Sequence, residues 1–202
     1  MTTWNLEIYN KSQDLTEFFL AAKEKGFYNN SSINMLHDYI DKSEETKMWL
    51  LSNNNRYVGT IVSHSLNELG ILGNGAWRIC ARICVLSHLI EGPRKHLTLR
   101  NELRNKTPHD HVGGQFLIPA CIEYIGRDKP MYISTNDSVV GKQRAVHTRW
   151  APAWNKLGFL GDPFEIEYRG KFQKFWKFNV DAYYKQMATE RWPEAEAILP
   201  LF

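Results

Sequence analysis

The chain has 202 residues, a length that predicts one domain with a sizeable hydrophobic core. Hydrophobic residues at 43% and aromatic residues at 13% exclude the composition of a disordered chain. The formal net charge of +3 is mild, whereas a dedicated nucleic-acid-binding protein would carry a denser basic stripe. A nucleic-acid partner is therefore not favoured.

The cysteine count and the start of the chain bear on cellular location. Three cysteines are an odd number without the pattern of a disulfide framework, which favours a reducing compartment. No apolar run approaches the roughly 18 residues that span a bilayer. Residues 1–7 lack the basic start and the apolar stretch of a signal peptide. We therefore expect a cytoplasmic protein without a membrane partner.

Two groups of residues are potential metal ligands. Cys80 and Cys84 fall in a strand-like segment, which separates them by about 13 Å, too far to share one zinc ion. His109 and His111 bracket Asp110, but no further ligands follow at a familiar spacing. We expect no bound metal.

The chain begins with a predicted strand and a predicted helix. Residues 4–9 are strand-like, and Ser12 is the expected N-cap of a helix with Asp14 in its first turn. Gly26 is the expected stop. One apolar stripe at helical spacing consists of Leu15, Phe18, Phe19 and Ala22.

A second short helix and a hairpin follow. Ser31 and Ser32 precede the helix, whose buried positions would be Ile33, Leu36 and Ile40. Residues 48–51 and 57–66 are strand-like and are separated by Ser-Asn-Asn-Asn at 52–55. Because asparagine tolerates left-handed backbone angles, this segment predicts a hairpin turn.

Residues 76–86 form the most regular segment of the sequence. Their alternation predicts a strand with one buried face and one face open to something polar. The buried face would carry Trp77, Ile79, Ala81, Ile83 and Val85. The polar face would carry Arg78, Cys80, Arg82 and Cys84.

The second half of the chain alternates helices and strands. Val112-Gly113-Gly114-Gln115 leads into a predicted helix over 116–125, which is followed by a strand over 130–135. A helix is expected over 142–157. A strand pair over 164–168 and 172–180 and a helical C-terminal tail come last. This order predicts a mixed α/β layer fold.

The order of elements resembles the GNAT superfamily of acyl-CoA-dependent N-acyltransferases. Two segments carry the resemblance: the glycine loop and helix from His109 to Ile125, and Trp154-Asn155-Lys156-Leu157-Gly158-Phe159, which is similar to the family's Tyr-x-x-Leu-Gly-Phe. The resemblance implies a mostly antiparallel central sheet flanked by helices, in a single domain over 1–202. A basic insertion at about 88–110 and a tail at about 180–202 would be additions.

The resemblance implies acetyl-CoA or another acyl-CoA as co-substrate. In the family the glycine loop holds the coenzyme A diphosphate at a helix N-terminus, which here implies Val112, Gly113, Gly114 and Gln115. An ordinary strand-to-helix turn is the alternative for these residues. The central strand splays from its neighbour in the family, so the backbone of Cys84, Val85 and Leu86 would bind the pantetheine arm.

The sequence departs from the family pattern at several positions. His109, Val112 and Gly114 stand where the family has Gln or Arg, Gly, and Gly or Ala. Trp154 stands in place of a tyrosine that often protonates the departing thiolate, and an indole cannot act as that acid.

Candidate catalytic and substrate-binding residues complete the hypothesis. His64 and His147 are candidate general bases because histidine titrates near neutral pH, although a lone histidine is also a common structural residue. Arg78 and Arg82 would favour an acidic or phosphate-bearing acceptor, or they form ion pairs with neighbouring carboxylates.

Two functions follow as expectations. The first is direct acyl transfer to a small-molecule or peptide amine. The second is a catalytically silent protein that binds a protein or nucleic acid through its basic insertion. The sequence leaves a homo-oligomer open.

Overall fold

A computed structural model describes residues 2–28, 30, 33–34, 37, 40, 45–92, 94, 111–136, 154–168 and 170–199. In this part of the chain seven strands form one sheet in the order β1-β2-β3-β4-β5-β7-β6. All neighbouring strands pair antiparallel except β4 and β5, which pair parallel. The strands are β1 Trp4–Ile8, β2 Thr46–Asn53, β3 Arg56–Ser65, β4 Trp77–Val85, β5 Met131–Asn136, β6 Phe164–Tyr168 and β7 Lys171–Lys177. The predicted mixed α/β fold is confirmed.

Helices flank this sheet. The α-helices are α1 Thr16–Glu24, α2 Ile118–Ile125, α3 Val180–Glu190 and α4 Pro193–Ile198, and a π-helical turn, Gly113–Leu117, precedes α2. Short 3-10 turns lie at Gly70–Leu72 and Ser87–Leu89. Among the described helices, none combines the length and apolarity that crossing a bilayer requires.

The predicted hairpin is confirmed as β2 and β3. Its turn consists of Asn54 and Asn55, whose φ angles are 50° and 62°. Positive φ at both central residues is what a type I′ turn requires, and this turn matches the twist of the two strands. β2 extends beyond its predicted bounds at both ends, whereas β3 keeps its predicted length and begins one residue earlier, because the pairing runs from Thr46 opposite His64 to Asn53 opposite Arg56.

The start of α1 differs from the prediction. The helix begins at Thr16, four residues after Ser12, because the loop before it has its own hydrogen bonds. The Ser12 hydroxyl donates to Asn10 Oδ1, and Asp14 Oδ1 accepts from the Thr16 amide at 2.9 Å. The predicted stripe is buried as expected: Leu15, Phe18, Phe19 and Ala22.

The two faces of the sheet are covered by different helices. Tyr28, just after α1, has its hydroxyl 3.4 Å from Thr60 Oγ1 on one face. On the other face, Tyr124 of α2 packs edge-on against Trp49 with 5.5 Å between ring centroids. Trp49 lies opposite Ile61, the neighbour of Thr60, so alternation along β3 puts α1 and α2 on opposite faces.

The C-terminal tail is helical, as predicted, but the last strand ends earlier. β7 ends at Lys177, and Val180 begins α3 because Asn179 Oδ1 caps the helix by accepting from the Ala182 amide at 3.0 Å. Several predictions lie outside the described residues: Ser31, Ser32, Leu36, residues 95–110 of the basic insertion, and the helix over 142–153 with His147.

Candidate functional site at the central strand

The central strand β4 has two different edges. Against β3 it pairs along most of its length, from Gly59 opposite Val85 to Ser65 opposite Trp77. Among the described residues it pairs against β5 only through Trp77 and Arg78, whereas β5 continues pairing with β7 as far as Asn136. The sheet therefore opens on the β5 side of β4, towards the C-terminal end of that strand.

The register shows which backbone groups face this opening. The Leu86 amide donates to the Val58 carbonyl at 2.7 Å, so Leu86 bonds towards β3. In an antiparallel ladder such residues alternate, so Cys84, opposite Thr60, also bonds towards β3 and Val85 directs its N–H and C=O to the opening. This corrects the expectation for Cys84 and Leu86, whose backbone groups belong to the ladder. The alternation of side chains in the sequence indicates the face of the sheet on which a residue lies, but not the neighbouring strand to which its backbone bonds.

Cys84 also differs from its expected surroundings. Its side chain was predicted on a polar face, but it is only 2% exposed. Burial raises the pKa of the Cys84 thiol to about 12, so the thiol is neutral at physiological pH. Cys84 therefore packs as a small apolar residue.

The predicted His64 and Arg78 lie next to each other. They are directly opposite in the β3–β4 register, on one face of the sheet, and His64 is buried. The Arg78 guanidinium reaches across to β5, where Nη2 is 3.5 Å from the Ser134 carbonyl oxygen. The pair therefore lies where β4 and β5 part. Arg82 lies opposite Val62 in the same register.

The two glycines do not form an open loop. They begin the π-helical turn Gly113–Leu117, and both are buried. His111 caps this turn: its carbonyl accepts from the amides of Gly114 at 3.1 Å and Gln115 at 3.0 Å, and its Nδ1 lies 3.2 Å from the Gly114 nitrogen. Two of the four amides expected to bind phosphate are therefore used within the helix.

Gly113 has a packing reason for being glycine. A Cβ atom added there would lie 2.9 Å from Ile83 Cδ1 on β4 and 3.3 Å from His111 Nδ1, so the end of the Ile83 side chain would have to shift. The absence of a side chain lets the turn approach β4 at Ile83, two residues before Val85. The glycine turn and the open edge of β4 thus belong to one region.

Comparison with known proteins gives the fold a name. No model of a known protein family matches the sequence, and no curated protein matches it. Among solved structures, a protein from Desulfovibrio desulfuricans described as a GNAT-family acetyltransferase has a TM-score of 0.54 at 13% identity, with 89% of this chain and 99% of that chain covered. The chain has the GNAT fold.

Two further solved structures are similar to this chain. An aminoglycoside N-acetyltransferase, AAC(6')-Ib11, has a TM-score of 0.52 at 11% identity, covering 90% of this chain and 99% of its own. An uncharacterised protein from Bacillus halodurans has a TM-score of 0.52 at 10% identity, covering 92% of this chain and 88% of its own.

The second motif of the GNAT resemblance has a structural explanation. Gly158, at a φ of 74°, ends a helical turn, its amide bonds to the Asn155 carbonyl, and the Phe159 amide bonds to the Trp154 carbonyl at 2.9 Å. These bonds are those of a Schellman C-cap. Trp154 is 2% exposed and packs against Phe159 and Phe178, with ring centroids 6.4 and 6.0 Å apart.

Gln115 has a role that the sequence did not indicate. Its side chain is fully buried, with Nε2 donating to the Glu190 carbonyl at 2.9 Å and Oε1 accepting from the Trp192 amide at 3.1 Å. The residue thus joins the glycine turn to the tail between α3 and α4. No local sequence pattern predicts that Gln115 contacts residues that lie 75 and 77 positions later in the chain.

Proposed function

We propose that the protein transfers an acyl group from an acyl-CoA thioester to an amine. The single observation that carries the proposal is the parting of β4 and β5 after Arg78, beyond which the rest of β4, as far as Val85, pairs with no residue of β5. Backbone groups that leave a ladder need other partners, and the amide-rich pantetheine arm offers them. The GNAT fold is consistent with this use, although a fold by itself does not determine a function.

The remaining contacts would come from the glycine turn. The amides of Val112 and Gly113, at the positive end of the helix, would face the diphosphate, while those of Gly114 and Gln115 stay bonded to His111. Because both glycines are buried, the diphosphate would reach these amides only if covering groups move.

The chemistry proposed is a direct transfer. The amine nitrogen attacks the thioester carbon, a base takes the amine proton, and the C–S bond breaks to release the CoA thiolate, which water protonates. His64 is the proposed base within the described residues, and Arg78 beside it would hold an anionic group of the acceptor. Positioning and stabilisation of the oxyanion would supply most of the rate gain.

A catalytically silent binding protein is the second candidate. The burial of the glycine turn and the packing role of Trp154, where the family often has an acidic tyrosine, favour it. In that case the basic insertion would contact a protein or nucleic acid.

Thermal unfolding with acetyl-CoA separates the two candidates. A hundredfold excess over the dissociation constant should stabilise the protein by about 2.7 kcal/mol. ADP is the matched control because it carries the diphosphate without pantetheine. A shift with acetyl-CoA but not with ADP, together with CoA release in the presence of amines, would support the enzyme. No shift, or equal shifts with both ligands, would contradict it.

A further inference from the structure

The π-helical turn before α2 leaves one carbonyl without a backbone donor. The Ile118 amide bonds to the Gly113 carbonyl, five residues back, instead of to Gly114 as an α-helix would require. The next donor in that register would be residue 119, which is proline and has no N–H. The buried Gly114 carbonyl therefore depends on a donor from elsewhere.

Tyr183 of the tail supplies that donor. Its fully buried side chain donates its hydroxyl hydrogen to the Gly114 carbonyl. In an α-helical register Ile118 would bond to Gly114, and Pro119 would leave the Gln115 carbonyl without a donor instead. The tyrosine thus satisfies the carbonyl that only the π register exposes.

Two further contacts involve the tail, and the first of them reaches the same turn. The Gln115 side chain forms the hydrogen bonds to the backbone of Glu190 and Trp192 described above. Arg94, at the start of the basic insertion, forms a two-point ion pair with Glu194, with N–O distances of 3.1 and 2.8 Å, and stacks on Trp192 at 4.3 Å. These contacts use carbonyls, side chains and tail backbone, and none uses an amide donor of the turn.

We infer that the tail, residues 180–199, keeps the glycine turn in its π register and that Tyr183 is the positioning residue. A change to the α register would rotate the residues that precede the turn by about 100° around the helix axis and shift them along it by about 1.5 Å. Gly113 would then no longer meet Ile83 of β4 as it does here. This inference rests on the proposed function in one respect: the turn matters for binding if it holds the diphosphate of acyl-CoA.

The neighbouring tyrosine gives a matched control. Tyr184 donates its hydroxyl hydrogen to Glu123 Oε1 at 2.7 Å, near the opposite end of α2, where Arg127 also bonds Glu123 and stacks on the Tyr184 ring at 4.0 Å. Tyr184→Phe therefore removes a tail hydroxyl from the same helix without touching the glycine turn.

Binding of two ligands tests the positioning role. Isothermal titration would compare acetyl-CoA with acetyl-pantetheine, which lacks the diphosphate and the nucleotide. Tyr183→Phe should weaken acetyl-CoA binding about tenfold and leave acetyl-pantetheine binding unchanged. Tyr184→Phe should change neither affinity. Equal losses for both ligands, or no loss in Tyr183→Phe, would overturn the positioning role.

A ligand-free measurement tests the register itself. A crystal structure of Tyr183→Phe should show the Ile118 amide bonded to Gly114 in an α-helical turn. A retained π turn would overturn the inference. Failure of the wild-type protein to bind acetyl-CoA would instead refute the proposed function, and the variant structure would still decide the register.

Discussion

The two edges of β4 give the same strand two different roles. Along β3 the strand is held by a ladder from Trp77 to Val85, with a register shift between Val62 and His64, and Leu86 extends it with a further bond to Val58. Along β5 the ladder ends after Arg78. The paired edge fixes the strand in the sheet, whereas on the other edge no described strand pairs with Val85, whose backbone is the proposed contact for a ligand.

If the two edges have these roles, mutations beside one edge should affect stability and ligand affinity differently from mutations beside the other. Changes on the paired side of β4 should alter stability and leave ligand affinity unchanged. Changes beside the open edge should alter ligand affinity as well, because the proposed binding groups lie there.

The largest effect concerns Cys84 on the paired side. Since burial raises its pKa to about 12 from an ordinary value of 9.0, the thiolate fraction at pH 8 falls by roughly three orders of magnitude. Labelling with a thiol reagent, followed by peptide mass spectrometry, should modify Cys84 only after denaturation. Fast labelling of the native protein at pH 8 would contradict the burial of this thiol.

The same pKa shift has a definite sign for stability. The folded state prefers the neutral thiol, so this contribution is complete below the pKa of the unfolded chain and is lost as pH rises from about 9 towards 12. Over that range the free energy of unfolding should fall more for the wild-type protein than for Cys84→Ala. Parallel pH profiles, measured by urea denaturation, would contradict this.

Filling the contact beside the open edge should have an intermediate effect. In Gly113→Val a Cβ would meet Ile83 Cδ1 at 2.9 Å, which should cost about 1–3 kcal/mol of stability and weaken acetyl-CoA binding. Gly70→Ala is the control, because an added Cβ there has nothing within 4 Å. Unchanged acetyl-CoA affinity in Gly113→Val, measured by titration calorimetry, would separate the turn from the binding site.

The smallest effect is expected at the β2–β3 turn on the paired side. Asn55→Gly should stabilise the protein by about 0.5 kcal/mol, because glycine adopts the φ of 62° without steric cost. Acetyl-CoA affinity should stay the same. A change in acetyl-CoA affinity without a change in the urea midpoint would contradict the assignment of the β3 side of β4 to stability and of its β5 side to ligand binding.

Local patterns in the sequence predicted much of the fold. The strand over 76–86 and the asparagine turn of the hairpin depend on neighbours close in the chain, and both are confirmed. The predicted polar face of that strand is not confirmed at Cys84, which is buried. The predicted start of α1 was wrong because the Ser12 hydroxyl bonds Asn10 instead of capping the helix. Composition does not decide which of these two local hydrogen bonds forms.

The candidate site was harder to predict because its determinants are distant in sequence. Gln115 was taken for a phosphate-binding residue, yet its side chain bonds tail residues 75 and 77 positions away. The edge towards which Leu86 bonds depends on register with β3, which side-chain alternation does not encode. His64 and Arg78 are adjacent only because that register brings them together.

Amide hydrogen exchange along β4, measured by NMR with and without acetyl-CoA, tests the open edge most directly. The Leu86 amide, bonded to Val58, should exchange slowly in both conditions. The Val85 amide should exchange fast in the free protein and slow down when acetyl-CoA binds. Slow exchange of Val85 without ligand, or fast exchange at saturating acetyl-CoA, would contradict the use of this edge as the acyl-CoA site.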